Sequence, residues 1–345
     1  RIAYGETAGP VQFGATFTPL TGTNIGGLLG SEVSTQIGNT SIRPETASEL
    51  EFGVDAGFWN GRMSLEATYY IKNTQNNIQN LNLAPSTGVN TTPSNEAELS
   101  NKGIELGLSG TVVQKSNFKW FSRVLFWKNE IEMTRLGIPT YISGGFGSGL
   151  GTFLYAEGYS PTTIVGTPAD PSVPGGFTIW GNAQPDFNLS FFNSLDIFKG
   201  LQLSFLIDWR KGGSNINLSS FLSDGGGTTN GWFDDDNGDG VPNGRQREPE
   251  PYNNAGRWVQ DASFVKVREI GLYYTIPRET ISGWFGSTVQ NIKIGSSVNN
   301  AFLFTDYEGY DPETSTFGAQ SVANNVDIAP YPTSRRIFFH LTIDF

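Results

Sequence analysis

Alternation of apolar and polar residues dominates this chain, and it is clearest over residues 50–72. Leu50, Phe52, Val54, Ala56 and Phe58 alternate with Glu51, Gly53, Asp55 and Gly57. After Trp59-Asn60-Gly61-Arg62 the pattern resumes, with Met63, Leu65, Ala67, Tyr69 and Ile71 opposite Ser64, Glu66, Thr68, Tyr70 and Lys72. Period two on both arms predicts two antiparallel strands with one apolar and one polar face. Asn-Gly between them predicts a tight turn, since its central residues need positive φ. Each arm is about ten residues, the length that crosses a bilayer when tilted.

The pattern recurs along the chain. Residues 1–6 read as the end of a strand. Ile104, Leu106, Leu108, Gly110 and Val112 form one face of the next, opposite Glu105, Gly107, Ser109 and Thr111. Residues 118–132 are mixed: Trp120, Val124 and Phe126 share one face, while Phe121, Leu125 and Trp127 share the other with Arg123. A hairpin follows over 187–209, turning at 198–200. The strand over 263–276 changes phase near Arg268-Glu269, which predicts a bulge. Residues 289–302 and 337–345 complete the set.

Loop length then decides the class. The turns at 60–61, 115–117, 198–200 and 278–287 are short, and the loops at 7–46, 73–101, 133–184, 213–260 and 303–334 are long. Strict alternation of short and long is the signature of an outer-membrane barrel, with short periplasmic turns and long external loops. Phe58, Trp59, Phe118, Trp120, Phe198 and Trp284 lie beside the short turns, as an interfacial aromatic girdle requires. The expectation is an all-β, antiparallel transmembrane β-barrel of about ten strands. Leu65, Leu106, Leu203 and Leu341 should face lipid, and Glu66, Glu105, Ser204 and Thr342 the interior.

Composition narrows the function. Charged residues make up 16% of the 345 residues and the net charge is −11, which argues against nucleic acid, whose phosphates need a basic surface. There is no cysteine, hence no disulfide scaffold and no thiolate metal site. No apolar run is long enough for a transmembrane helix. The single histidine, His340, falls on the polar face of the last strand, so a Ser–His–Asp arrangement of lipase type has no second histidine to draw on. Gly145, Gly147, Gly149 and Gly151 lack the Lys-Ser/Thr ending of a phosphate loop and read as a flexible loop. An enzyme is not expected.

Several motifs resemble the carboxyl half of SusC/RagA-type TonB-dependent transporters. They are Arg43-Pro44-Glu45-Thr46, Glu51-Phe52-Gly53-Val54-Asp55, Asn101-Lys102-Gly103-Ile104-Glu105-Leu106, Gly181-Asn182 with Pro185-Asp186-Phe187, and Ala262-Ser263-Phe264-Val265-Lys266-Val267-Arg268. Tyr274-Thr275-Ile276-Pro277, Asn300-Ala301-Phe302, Tyr310-Asp311-Pro312-Glu313 and Tyr331-Pro332 before Arg335 continue the series, and Phe345 is similar to the final aromatic residue of such barrels. The resemblance implies a 22-stranded outer-membrane barrel plugged by an amino-terminal domain on which TonB pulls. It also implies a SusD-like surface lipoprotein that captures oligosaccharides or peptides. The chain would then be the wall and external loops of an importer, with N-terminal strands, plug and signal peptide outside it. The alternative is a barrel that scaffolds a surface protein complex without transport.

Two further expectations follow from the residues. Asp235, Asn237, Asp239 and Asn243 fall at relative positions 1, 3, 5 and 9, with Gly240 at 6 and the Val241 carbonyl at 7, the spacing of a Ca²⁺ loop. Position 12 is Gln246 rather than a bidentate acid, with Glu248 and Glu250 nearby. Calcium bound by these five residues is the expectation, and a solvated acidic turn the alternative. The first strand, only about six residues long, could pair with barely half of the final one. Closing the ring between them would leave backbone groups unpaired in hydrocarbon at several kcal/mol each, so both strands should pair with strands outside these residues.

Overall fold

The computed structural model describes residues 1–198, 200–229, 231–247, 252–315 and 325–345. Ten strands form one antiparallel sheet in chain order. They are β1 (Ile2–Ala8), β2 (Thr46–Phe58), β3 (Met63–Asn82), β4 (Thr91–Lys115) and β5 (Phe118–Leu136). The second half comprises β6 (Pro185–Ile197), β7 (Leu201–Gly212), β8 (Phe264–Thr275), β9 (Asn291–Phe304) and β10 (Arg336–Asp344).

Register turns the alternation into two continuous faces. Leu65 lies opposite Leu108, Leu108 opposite Val124, and Val124 opposite Phe191. Leu203 lies between Leu195 and Leu272, and Leu341 opposite Ile294. On the other face Glu66 meets Asp55, Glu105 meets Thr68, Ser204 meets Ser194 and Thr342 meets Lys293. Among the described residues nothing covers the apolar face: Val54 is 60% exposed and Leu272 51%, both on strands paired on either side. An uncovered apolar surface of this extent is a lipid surface. The mixed strand β5 keeps Trp120, Val124 and Phe126 outside. Inside, Leu125 sits opposite Gly107, and Phe121 leans on Phe192 at 6.4 Å.

The turn after β2 has four residues, and Trp59, Asn60 and Gly61 are all left-handed, one more than Asn-Gly alone requires. The expected bulge is present: β8 slips against both neighbours between Val267 and Glu269. A second slip, between Thr111 and Val113, makes Val112 the extra residue and carries the outward row on to Val113. Among the described residues β1 and β10 do not pair with each other, and both lie exposed at the two edges of the sheet.

The loops differ most from expectation. Residues 73–101 are largely strand: β3 and β4 continue to Asn82 and from Thr91, leaving only 83–90 as connection. Their sequence is polar on both faces because this extension has no lipid to face, so period two disappears although the backbone ladder persists. Asn95 and Glu45 side chains brace it, Asn95 donating to the Arg43 and Asn76 carbonyls and Glu45 accepting from the Ile78 amide. Residues 133–184 contain a four-stranded sheet of Tyr141–Ser143, Thr152–Tyr155, Thr163–Ala169 and Phe177–Asn182. The glycine run is thus a folded turn, not a flexible loop; Gly144, Gly145, Gly147 and Gly151 adopt positive φ between two paired strands. The turn over 278–287 holds a helix, Arg278–Phe285, whose Ile281 packs on Val289 and Ile292.

Candidate functional site

Among the described residues the largest buried apolar cluster lies in the loops rather than the wall. Leu150, Phe153, Ile164 and Ala183 come from the connection between β5 and β6. Ile216, Leu218 and Trp258 come from the next long connection, and Val326 from the last. Three external loops therefore share one core. Their backbones join as well: Ser214–Asn217 pairs with Val259–Asp261 on one side and with Val326–Asp327 on the other. Buried polar groups find partners across the loops, as burial requires. Asn215 donates to the Pro312 carbonyl at 2.7 Å and accepts from Asn325 at 2.9 Å, while the Tyr307 hydroxyl donates to Asp327 at 2.9 Å. Burial first, then the Asp327 carboxylate, pushes the Tyr307 phenol far above its ordinary range.

This mouth is clamped to the polar face of the wall by charges. Lys266, on β8, is 1% exposed, and its ammonium donates to Asp311 at 2.8 Å and to Glu313 at 2.5 Å. Arg268, in the bulge, donates to the same Glu313 and to Asp208 of β7 at 2.7 Å. Thr333 donates to Asp311 from the far end of the loop. Burial pushes the Asp311 and Glu313 carboxyls up, but the basic partners outweigh it and hold both below the usual carboxylate range. These residues were present in two of the family-like motifs, yet alternation alone gave them no role. The signal available was a Lys-x-Arg and an Asp-x-Glu in a chain with few charges.

The five residues expected to hold calcium form a compact, exposed turn. The Asp235 carboxylate accepts from the amides of Gly238 and Gly240, both at 2.8 Å, and Asp239 accepts from the Val241 amide at 2.8 Å. Gln246 Nε2 donates to the Val241 carbonyl at 2.9 Å and to Asp239 at 3.3 Å. Asn237 donates to Asp239, whereas Asn243 turns away to Asp236. The fold thus gathers Asn237, Asp239 and Val241 around the Gln246 amide, engages Asp235 with backbone amides of the turn, and leaves Asn243 aside. Among the described residues no group of three His, Asp or Glu side chains is placed to hold a metal ion. Glu248 and Glu250 lie outside the described residues. His340 is a wall residue, its Nε2 bonded to Ser297 at 2.8 Å.

Residues 1–141 match the family of TonB dependent receptor-like β-barrels. A TonB-dependent receptor of Formosa agariphila is 25% identical across the whole chain, and the TonB-dependent receptor SusC of Bacteroides thetaiotaomicron is 20% identical over 89% of it. The RagAB peptide importer in its closed-closed state superposes on 99% of the chain with a TM-score of 0.74 at 20% identity. SusC- and RagA-like homologues match the whole chain, and its ten-stranded sheet matches part of a TonB-dependent receptor barrel. The chain spans 39% of the Formosa receptor, 32% of SusC and 40% of the RagAB chain. The receptor barrel lies in the outer membrane, its apolar face in lipid, and it is not an enzyme.

Replacing Lys266 with Met in the full-length receptor leaves Asp311 buried without its cation, a change that typically costs about 3–5 kcal/mol. Chymotryptic cleavage at Tyr307 and Tyr310 should accelerate, with the wall still folded. Because Asp311 and Glu313 titrate below the ordinary range, acid alone should release the loop only below about pH 4. Unchanged cleavage in the Lys266 variant would remove the clamp from the account.

Proposed function

We propose that this chain forms the wall and external mouth of an importer that moves oligosaccharides or peptides across the outer membrane. A SusD-like surface lipoprotein would close the mouth, and TonB would act through a plug in the rest of the protein. Further strands of the same protein would pair with the free edges of β1 and β10 and complete the barrel. The observation that carries this reading is the mouth itself: three external loops with a common core, clamped to a polar wall. A barrel needs no such device merely to sit in lipid. RagAB is a peptide importer, which favours peptides among the two cargo classes.

A protein partner is supported by a second surface. Between β1 and β2, Leu20–Ile25 and Leu28–Val33 form a hairpin whose tip, Gly26-Gly27, has positive φ at both glycines. Leu20, Ile25, Leu28, Leu29 and Val33 are all exposed on it. The chain that follows is tied to the β3–β4 extension, Asn90 donating to the Thr35 carbonyl at 2.7 Å and Ile37 to Thr91 at 2.9 Å. That extension continues ten residues past Lys72, about 33 Å of strand, so this apolar tip stands clear of the lipid. Only a protein surface would cover it.

The reading is tested with the full receptor and the surface lipoprotein that co-purifies with it. Leu28→Glu with Leu29→Glu should weaken lipoprotein capture at least tenfold, and wild-type cells should take up labelled oligopeptide or oligosaccharide only when TonB is present. Lipoprotein bound without any TonB-dependent uptake would support the scaffold instead.

We also propose that Asp235, Asn237, Asp239, Val241 and Asn243 bind Ca²⁺, the Gln246 amide giving way to the ion. Support comes from the spacing of the oxygens and from the gathering of three of the five residues around one donor. Chelation should speed proteolysis within residues 231–247 and leave the barrel intact. Equal rates with and without calcium would count against the site.

A further inference from the structure

The outward face carries a basic band at one height. Lys128 of β5 stands ten positions above Phe118 at the short-turn rim, and Lys211 of β7 stands ten above Leu201. Arg335, just before β10, stands ten positions from Phe345. Ten residues span about 33 Å of strand, or about 25 Å along the membrane normal at a tilt near 40°, the height of the apolar band of such barrels. All three therefore reach the external boundary of the bilayer. Register fixes their direction: Lys128 pairs with outward Ile104, and Lys211 with outward Phe187. Arg335 lies over the outward ring of Phe302 at 5.6 Å.

Beneath the band is an aromatic ledge. Phe187 contacts Trp209 at 4.9 Å and Phe126 at 5.7 Å, and on the far side of β8 Phe302 and Phe304 stack on each other at 6.3 Å. Lys128 shares its charge with Glu130 at 2.7 Å, and Asp186 is also near it; both acids lie farther from the bilayer along their strands. Lys211 has no acidic partner among the described residues, and all three cations are exposed. In a chain of net charge −11, unneutralised cations on the lipid side at the outer boundary call for an anion there.

We propose that Lys211 and Arg335, with Lys128 beside them, bind the phosphate groups of an outer-leaflet glycolipid whose acyl chains lie along the aromatic ledge. A guanidinium presents two parallel N–H donors to a phosphate, and the ammonium adds a mobile point charge. An interfacial lysine that merely extends to water would be indifferent to the headgroup. The glycolipid contact requires phosphate.

The test uses the full-length receptor in detergent, with thermal unfolding read against added phosphorylated lipid A, the same lipid with its phosphates removed, and inorganic phosphate. Wild type should be stabilised by phosphorylated lipid A at concentrations at least tenfold lower than by the dephosphorylated lipid, and inorganic phosphate should have no effect. Lys211→Gln with Arg335→Gln should abolish that preference while its unfolding temperature without lipid stays at the wild-type value. If that temperature falls, the single variants, each exposed, replace the pair, and each should shrink the preference. Equal response to the two lipids, or a preference unchanged in the variants, overturns the proposal.

Discussion

In the hydrocarbon layer no water is available to a backbone amide or carbonyl, so each must pair within the protein. That constraint is met here by one uninterrupted ladder from β1 to β10, and everything else depends on it. Because the ladder runs strand to strand, side chains can only point to two sides. Leu65, Leu108, Val124 and Phe191 then fall in a single outward row, and the polar residues between them fall inward. The acids Asp55 and Glu66 sit directly opposite each other on the inner side. Like charges so placed are unfavourable and are tolerated facing water, not lipid.

The inner face then determines what the loops can do. A largely polar inner wall offers little hydrophobic seat, and the mouth makes its own core from Phe153, Ile164, Ile216, Trp258 and Val326. It attaches to the wall through ions instead. Taking Lys266 and Asp311 out of water is expensive, and the pair persists because Glu313, Arg268 and Thr333 complete its hydrogen bonds. Such a clamp contributes position more than stability: it sets where residues 305–315 stand over the lumen. Lys266 and Arg268, two positions apart, reach inward together by alternation, and the bulge at Arg268 then shifts the phase so that Ile270 and Leu272 return to the outward face.

The wall was legible in the sequence because lipid on one side and water on the other enforce period two. The bulge at Arg268 was legible for the same reason, as a break in that period. Where lipid ends the pattern ends, so the extension of β3 and β4 read as a loop although its backbone is paired to Asn82. The small sheet over 141–182 escaped because it is buried on both faces, and Phe153-Leu154 side by side show no alternation. Of the candidate site, the calcium-like spacing was visible because it is local. Lys266 and Asp311 are 45 residues apart, and nothing in a single sequence links them.

The central claim is that the two faces of this sheet meet different solvents. It is tested most directly by folding the full-length receptor into lipid vesicles with arginine on each face. Leu108→Arg should lower folding stability by about 2–4 kcal/mol, as a cation near the midplane on the lipid side does, while Glu105→Arg, on the inner face, should cost much less. Equal losses from the two substitutions would contradict the account.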